Sequence, residues 1–242
     1  MVVETQSQLQ SDGYVILPNI FDGPSVKDLR GRIETAIDAD AESALRSKGT
    51  VFAARNLIDS IPNLQSIVDR PALSSLLTAT IGENYGLVRV LYFDKPSNRS
   101  WNLPFHKDLT IAVKDNSLPT SHFSKPTHKG GVDHVEASES ILQNMLTLRI
   151  HLDEVTESNG PLEVIPGSHQ SGKRNEPNPG DPVKILVGAG DVLAMRPMIS
   201  HASGHTDPDG NLRRRILHLE FCGTATLPDA FQWMHFLKRK PS

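Results

Sequence analysis

The chain reads as a mainly β protein, α+β by element count, built as a jelly roll with its N-terminal helices packed on one sheet. Two observations lead there. Helical periodicity is confined to the first third, while β-branched and aromatic runs separated by turn residues fill the remainder. The 242 residues, with 17 glycines and 17 prolines, suit one large loop-rich β domain left undivided. No repeat, low-complexity tract or linker interrupts it. Residues 1–242 are therefore expected to form a single domain, with a helical part over 1–86 and a jelly-roll core over 87–222.

The elements follow in order. Gly13-Tyr-Val-Ile-Leu-Pro predicts a short strand. Asp22-Gly-Pro-Ser opens a helix in which Val26, Leu29, Ile33, Ala36 and Ile37 keep helical spacing, and it is expected to run to about Ser47. A second helical region covers 63–81 and is broken in two by Pro71. Val88-Arg-Val-Leu-Tyr-Phe is a strand ended by Lys95-Pro-Ser-Asn. Phe105 to Val113 reads as another strand. Residues 114–140 are polar and irregular, long enough to suggest a substrate loop. In Met145 to Asp153, Leu146, Leu148, Ile150 and Leu152 share one face; Thr147, Arg149 and His151 share the other. Asn159-Gly160 marks a tight turn before Leu162-Glu-Val-Ile. Strands over 183–187, 191–195 and 213–221 complete the series, with Gly188 to Gly190 as a turn.

Composition narrows the function. A net charge of −3 with both signs interspersed argues against nucleic acid or an anionic membrane as partner. No apolar run approaches the roughly 20 residues of a membrane span. The N-terminus lacks the pattern of a secretory signal. One cysteine, Cys222, cannot make an internal disulfide, so a cytoplasmic location is the default. A small molecule is left as the expected partner, and the oligomeric state stays open.

Two short motifs carry the chemistry. His106-Lys107-Asp108 lies in a strand-like run, so His106 and Asp108 project to one side and Lys107 to the other. His201 follows the apolar run Val192-Leu-Ala-Met. Two imidazoles and one carboxylate on one side of a metal leave other positions open, the ligand set of non-haem Fe(II) oxygenases. An H-x-D alone is common by chance, and His205 and His218 are competing candidates. The arginine strand Arg213-Arg-Arg-Ile-Leu-His-Leu-Glu-Phe adds a guanidinium fork suited to a carboxylate. By alternation Arg213 and Arg215 share a face and Arg214 faces away. Arg213 is expected to be the carboxylate clamp, with Arg215 in reserve and Arg214 solvated. Arg149 is expected either to touch substrate or to meet solvent. His122, His128 and His134 are spaced too widely for a compact metal site. Trp101 and Phe105 read as packing residues, His169 as a turn-fixing one.

Several stretches together resemble the phytanoyl-CoA dioxygenase family of Fe(II)- and 2-oxoglutarate-dependent oxygenases: Pro104-Phe-His-Lys-Asp, the run Leu152 to His169 containing Asn159-Gly-Pro-Leu and Pro166-Gly-Ser-His, Gly188-Ala-Gly-Asp, and His201-Ala-Ser-Gly with the Arg213 strand. The resemblance covers nearly the whole chain, from Gly13 to about Phe221. It implies a double-stranded β-helix, a cupin-like jelly roll. It implies Fe(II) held by His106, Asp108 and His201, 2-oxoglutarate as cosubstrate with O2, and Arg213 on the distal carboxylate with Ser203 assisting. Thr110, two residues past Asp108, is placed at the site by geometry alone. Relatives often carry Gln where this chain has Lys107. Some replace the Asp and halogenate; with Asp108 present, hydroxylation is implied, with succinate and carbon dioxide as coproducts. Two readings compete: a non-catalytic jelly-roll protein that binds metal or ligand, and a metal-dependent hydrolase or isomerase on the same scaffold.

Overall fold

Alternating apolar runs become antiparallel strands throughout the computed structural model, which describes residues 2–40, 44–47, 49–96, 102–174, 180–207 and 212–239. The first part contains α1 (Val2–Ser11), β1 (Tyr14–Leu17), α2 (Gly23–Ala39), β2 (Ala44–Ser47), β3 (Thr50–Ala54), α3 (Gln65–Val68) and α4 (Pro71–Ile81). Next come β4 (Gly86–Lys95), β5 (Leu103–His106), β6 (Thr110–Val113), β7 (Ser124–Lys129), β8 (Val132–Glu136), α5 (Glu139–Gln143) and β9 (Met145–His151). The last part holds β10 (Leu162–Val164), β11 (Val183–Ile185), β12 (Val192–Met195), β13 (His201–Ser203), β14 (Arg214–Cys222) and β15 (Leu237–Lys238). A large sheet runs β1-β12-β9-β14-β4-β3-β2, with β15 also on β4. A smaller sheet runs β11-β10-β13-β5, and a third runs β6-β8-β7. The large and small sheets face each other across a cavity lined by both.

The helices cover the outer face of the large sheet, as the sequence predicts. Val26, Leu29, Ile33 and Ile37 of α2 and Leu73, Leu76 and Leu77 of α4 share one core with Leu146, Leu148 and Ile150 of β9 and Leu217, Leu219 and Phe221 of β14. Each such side chain contributes roughly 1.5–3 kcal/mol by leaving water. The Asp22 carboxylate caps α2 by accepting from the Ser25 amide at 2.9 Å. Between the sheets, Leu193, Met195 and Ile199 pack on Leu162, Val164 and Ile185. No helix among the described residues is long and apolar enough to cross a membrane.

Three expectations need correction. α2 stops at Ala39, because its apolar stripe ends at Ile37, and Ala44–Ser47 is strand. Phe105 to Val113 is not one strand: β5 and β6 belong to different sheets, and residues 107–109 cross between them. Residues 114–140 are not structureless, since β7 and β8 form a hairpin turned by Gly130 and Gly131, both with positive φ. α1 was not anticipated. Trp101 lies outside the described residues.

Candidate active site

His106 ends β5 and His201 begins β13, and the two are register partners in the small sheet. Their rings lie 4.3 Å apart. Asp108 lies just past β5, held there by its amide, which donates to the Pro197 carbonyl at 2.9 Å. Its carboxylate oxygens come within 3.9 Å of His106 Nε2 and 3.5 Å of His201 Nε2. All three potential ligand atoms fall within 4.8 Å of one another, and no other such group of three occurs among the described residues. Cis ligands of one first-row metal, each at about 2.1 Å, sit on the order of 3 Å apart.

Backbone carbonyls aim both imidazoles. His106 Nδ1 donates to the Pro104 carbonyl at 2.8 Å and His201 Nδ1 to the Ile199 carbonyl at 3.0 Å. Each bond fixes the proton on Nδ1 and leaves the Nε2 lone pair facing Asp108. Burial, against the pull of Asp108, holds His201 down to about 4, so it is neutral at pH 7. Burial favours the neutral form of Asp108, but the charges of His201, His218, His106 and Arg89 outweigh it and keep the carboxyl below its usual range. A neutral imidazole at His201 and an ionised carboxylate at Asp108 are forms a divalent cation requires.

These residues open on a cavity of about 430 Å³ between the sheets. At another part of its wall stands Arg214, buried, with Nη2 3.1 Å from Ser203 Oγ and with Nε lacking any partner among the described residues. Lys95, its register partner on β4, is 1% exposed and donates to Ser203 Oγ at 3.1 Å and to the Gly204 carbonyl at 2.6 Å. Burial, then the charge of Arg214, pushes Lys95 down to about 7. Burial, then Arg149, pulls the Arg214 guanidinium below its ordinary range. The turn beneath this cluster needs Gly160: its φ is +69°, and a Cβ there would stand 2.6 Å from the Gly204 carbonyl oxygen and 2.8 Å from Lys95 Nζ.

The structure places Arg214, not the expected Arg213, on the cavity wall. Arg213 is not at the cavity; its side chain is 47% exposed and grips the buried Asp94 with two nitrogens, Nε to Oδ1 at 2.8 Å. Arg215 is likewise bound to Asp153, at 2.9 and 2.8 Å. The two do share a face, but it is the face of Leu217, Leu219 and Phe221, turned to the helices. Arg214, His218 and Glu220 hold the cavity face. Ser203, Thr110 and Arg149 all line the cavity. Arg149 donates to His218 Nδ1 at 3.2 Å, His218 Nε2 donates to Glu220 at 3.1 Å, and Arg89 pairs with Glu220 at 3.3 Å. Lys107 points away from the triad, with Nζ on the Ser168 and Gly172 carbonyls and Ser171 Oγ.

Sequence reasoning missed Lys95, Arg55, Glu220 and Lys129, and misjudged Arg214. The signal for Arg214 was present: the leucines of β14 show which face the helices cover, leaving the other for the cavity.

L-proline trans-4-hydroxylase from Streptomyces griseoviridis is 30% identical over 166 residues, 66% of this chain and 53% of that protein, so the chain spans about half the length of this relative. Among solved structures, EctD from S. alaskensis with bound Fe superposes with a TM-score of 0.70 at 19% identity, covering 90% of this chain and 75% of that one. AviO1 from Streptomyces viridochromogenes gives a TM-score of 0.66 at 20% identity, covering 95% and 98%. These two likenesses concern the fold. The family model for phytanoyl-CoA dioxygenase (PhyH) matches residues 9–215, a span that contains His106, Asp108, His201 and Arg214, and the chain belongs to that family.

Proposed function

We propose that this chain is an Fe(II)- and 2-oxoglutarate-dependent dioxygenase that hydroxylates an unactivated C–H bond of a small organic substrate. O2 is consumed, and succinate and carbon dioxide are released. One observation carries the reading: a single cavity has two histidines and a carboxylate on its wall and, elsewhere, a buried arginine with an orphaned nitrogen. His106, Asp108 and His201 would hold the iron, which when bound supplies oxygen activation and C–H cleavage. Arg214, with Ser203 and Lys95, would take the distal carboxylate of 2-oxoglutarate and so set its orientation. Leu91, Phe93 and Leu162 line the cavity and limit water around the reacting groups. Family membership and the hydroxylase named among the relatives support the same activity. A binding protein or a hydrolase has no need for two buried cations opposite Ser203.

The test is anaerobic titration of the protein with Fe(II) and 2-oxoglutarate, followed by visible absorbance. Keto-acid chelation at a three-ligand iron site gives a weak charge-transfer band. The band is expected in wild type, with weaker 2-oxoglutarate affinity in Arg214→Ala. Metal binding without a band refutes the oxygenase reading and favours its competitors. Succinate formed on admitting O2 separates oxygenase from hydrolase.

A further inference from the structure

After iron and cosubstrate are assigned their partners, the cavity retains positive charge. Arg55, Arg89, Lys129, Arg149 and Arg214 line it, against only two carboxylates, Asp108 and Glu220. Arg89 is paired with Glu220. Asp108 belongs to the metal triad and Arg214 to the cosubstrate. A divalent cation and the 2-oxoglutarate dianion cancel each other, so the loaded cavity still lacks anions for Arg55, Lys129 and Arg149. Arg149 lies nearest to assigned groups: it bonds His218, stacks 5.8 Å from the Phe93 ring, and feels the charges of Asp108 and Arg214.

Arg55 is different. It follows β3, which lies between β4 and the edge strand β2, with its Cδ 3.7 Å from where a Cβ on Gly130 of the β7–β8 hairpin would stand. It is half-buried, lines the cavity, and has no hydrogen bond or ion pair with any described residue. Burial, then the charge of Arg89, holds its guanidinium below the ordinary range, which marks a positive local potential. A partly desolvated arginine without a partner is costly unless a ligand supplies the anion.

We infer that the primary substrate is a small organic acid whose free carboxylate is held by Arg55. The inference rests on the oxygenase reading and names the substrate class of the same site. Arg55 offers a planar fork to a carboxylate. Lys129, on the hairpin lining the same cavity, adds attraction and raises the local concentration of anions. An acyl thioester has no carboxylate to offer at this point. The L-proline named for one relative is a member of the inferred class.

The experiment uses the full chain loaded anaerobically with Fe(II) and 2-oxoglutarate. Calorimetric binding is measured for L-proline, other free α-amino acids and short 2-hydroxy acids, each beside its primary amide, and for an acyl-CoA thioester. At least one acid is expected to bind, with its amide weaker by at least about tenfold, the scale of losing a charge-assisted hydrogen bond. Arg55→Ala should weaken that acid by a similar factor, more than it weakens 2-oxoglutarate, and should abolish the preference over the amide. Arg55→Lys should restore part of it. Equal binding of acid and amide, undiminished acid binding in Arg55→Ala, binding of the thioester alone, or no acid bound would each overturn the inference. If Arg55→Ala does not fold, the acid–amide comparison on wild type still decides. Failure of the oxygenase reading shows separately, as absence of the charge-transfer band before any acid is added.

Discussion

Exchanging the two neighbouring arginines for alanine, one at a time, should separate binding from stability. Arg214 faces the cavity and Arg213 faces away. A carboxylate held by a buried guanidinium receives two charge-assisted hydrogen bonds of about 1.5–3 kcal/mol each. Lys95, beside Arg214, remains in Arg214→Ala and recovers some of this. The net loss is then about 2–4 kcal/mol, or roughly 30- to 1,000-fold in the Kd for 2-oxoglutarate. The free protein should not suffer, because the substitution removes a desolvated cation that lacks an acidic partner. Arg213→Ala should do the reverse. It leaves Asp94, 1% exposed, with the Tyr92 hydroxyl at 3.3 Å as its one remaining side-chain donor among the described residues. Breaking a buried pair costs about 3–5 kcal/mol, but Arg213 is half in water, so about 1–3 kcal/mol is the appropriate scale. At roughly 2–4 °C per kcal/mol for a chain of this size, the melting temperature falls measurably. Its Kd for 2-oxoglutarate should stay within about twofold of wild type, well below one hydrogen bond's worth. The assays are anaerobic titration and thermal denaturation of the metal-free proteins. Loss of 2-oxoglutarate affinity in Arg213→Ala with retention in Arg214→Ala would refute the assignment of faces on β14.

Three further outcomes follow from named contacts. Lys95 sits near pH 7 in the folded protein, far below its ordinary 10.5. The dianion favours its charged form, so affinity is greatest below pH 7 and falls as pH rises through it, by up to about tenfold per unit. Lys95→Met should flatten that profile, and wild type should take up protons on binding 2-oxoglutarate at pH 8, measured calorimetrically in two buffers; no uptake would remove Lys95 from the site. Fe(II) at a hundredfold excess over its Kd should stabilise the wild type by about 2.7 kcal/mol. Asp108→Ala should lose most of that shift in an anaerobic melt, and an undiminished shift would place the metal elsewhere. Gly160→Ala must adopt a φ of +69° and drive a Cβ against the Gly204 carbonyl and Lys95. A cost of about 2–4 kcal/mol, with weaker 2-oxoglutarate binding, is expected in chemical denaturation and titration; a wild-type-like midpoint would show that the turn relaxes freely.

What the sequence disclosed depended on whether the deciding contact was local. The leucine stripe of β9 and the helical spacing of α2 are local patterns, and both faces land where the pattern puts them. His106 and Asp108 converge, yet not as alternate residues of one strand: β5 ends at His106, and the Pro197 carbonyl holds Asp108 in place from the other side of the fold. Alternation grouped Arg213 with Arg215 correctly, but it cannot say which face is the inner one; the helices covering Leu217 and Leu219 decide that. Lys95 looked like the first residue of a turn, and only the long-range pairing of β4 with β14 buries it beside Arg214. Arg55 was invisible for a related reason. It follows a hairpin that extends the sheet edge through β3–β4 pairing, where the sequence suggested a helix tail and a connection.

The cavity's charge distribution also explains why its anion partners must come from outside. Acids are available in the fold, yet Asp94 and Asp153 are spent on Arg213 and Arg215, on the opposite face of β14. Glu220 is bonded by His218 and Arg89. Arg214 meets the charge of Arg149, Lys95 that of Arg214 and Arg55 that of Arg89, and each is held below its ordinary proton affinity, first by burial and then by that neighbouring cation. Such an arrangement lowers the stability of the empty protein, and the extensive core between helices and sheet offsets it. A dianion bound at Arg214 relieves one part of the strain, and a carboxylate at Arg55 relieves another. On this reading, binding energy at Arg214 and at Arg55 is prepared before either ligand arrives, because the cations are already partly desolvated and held by the sheet.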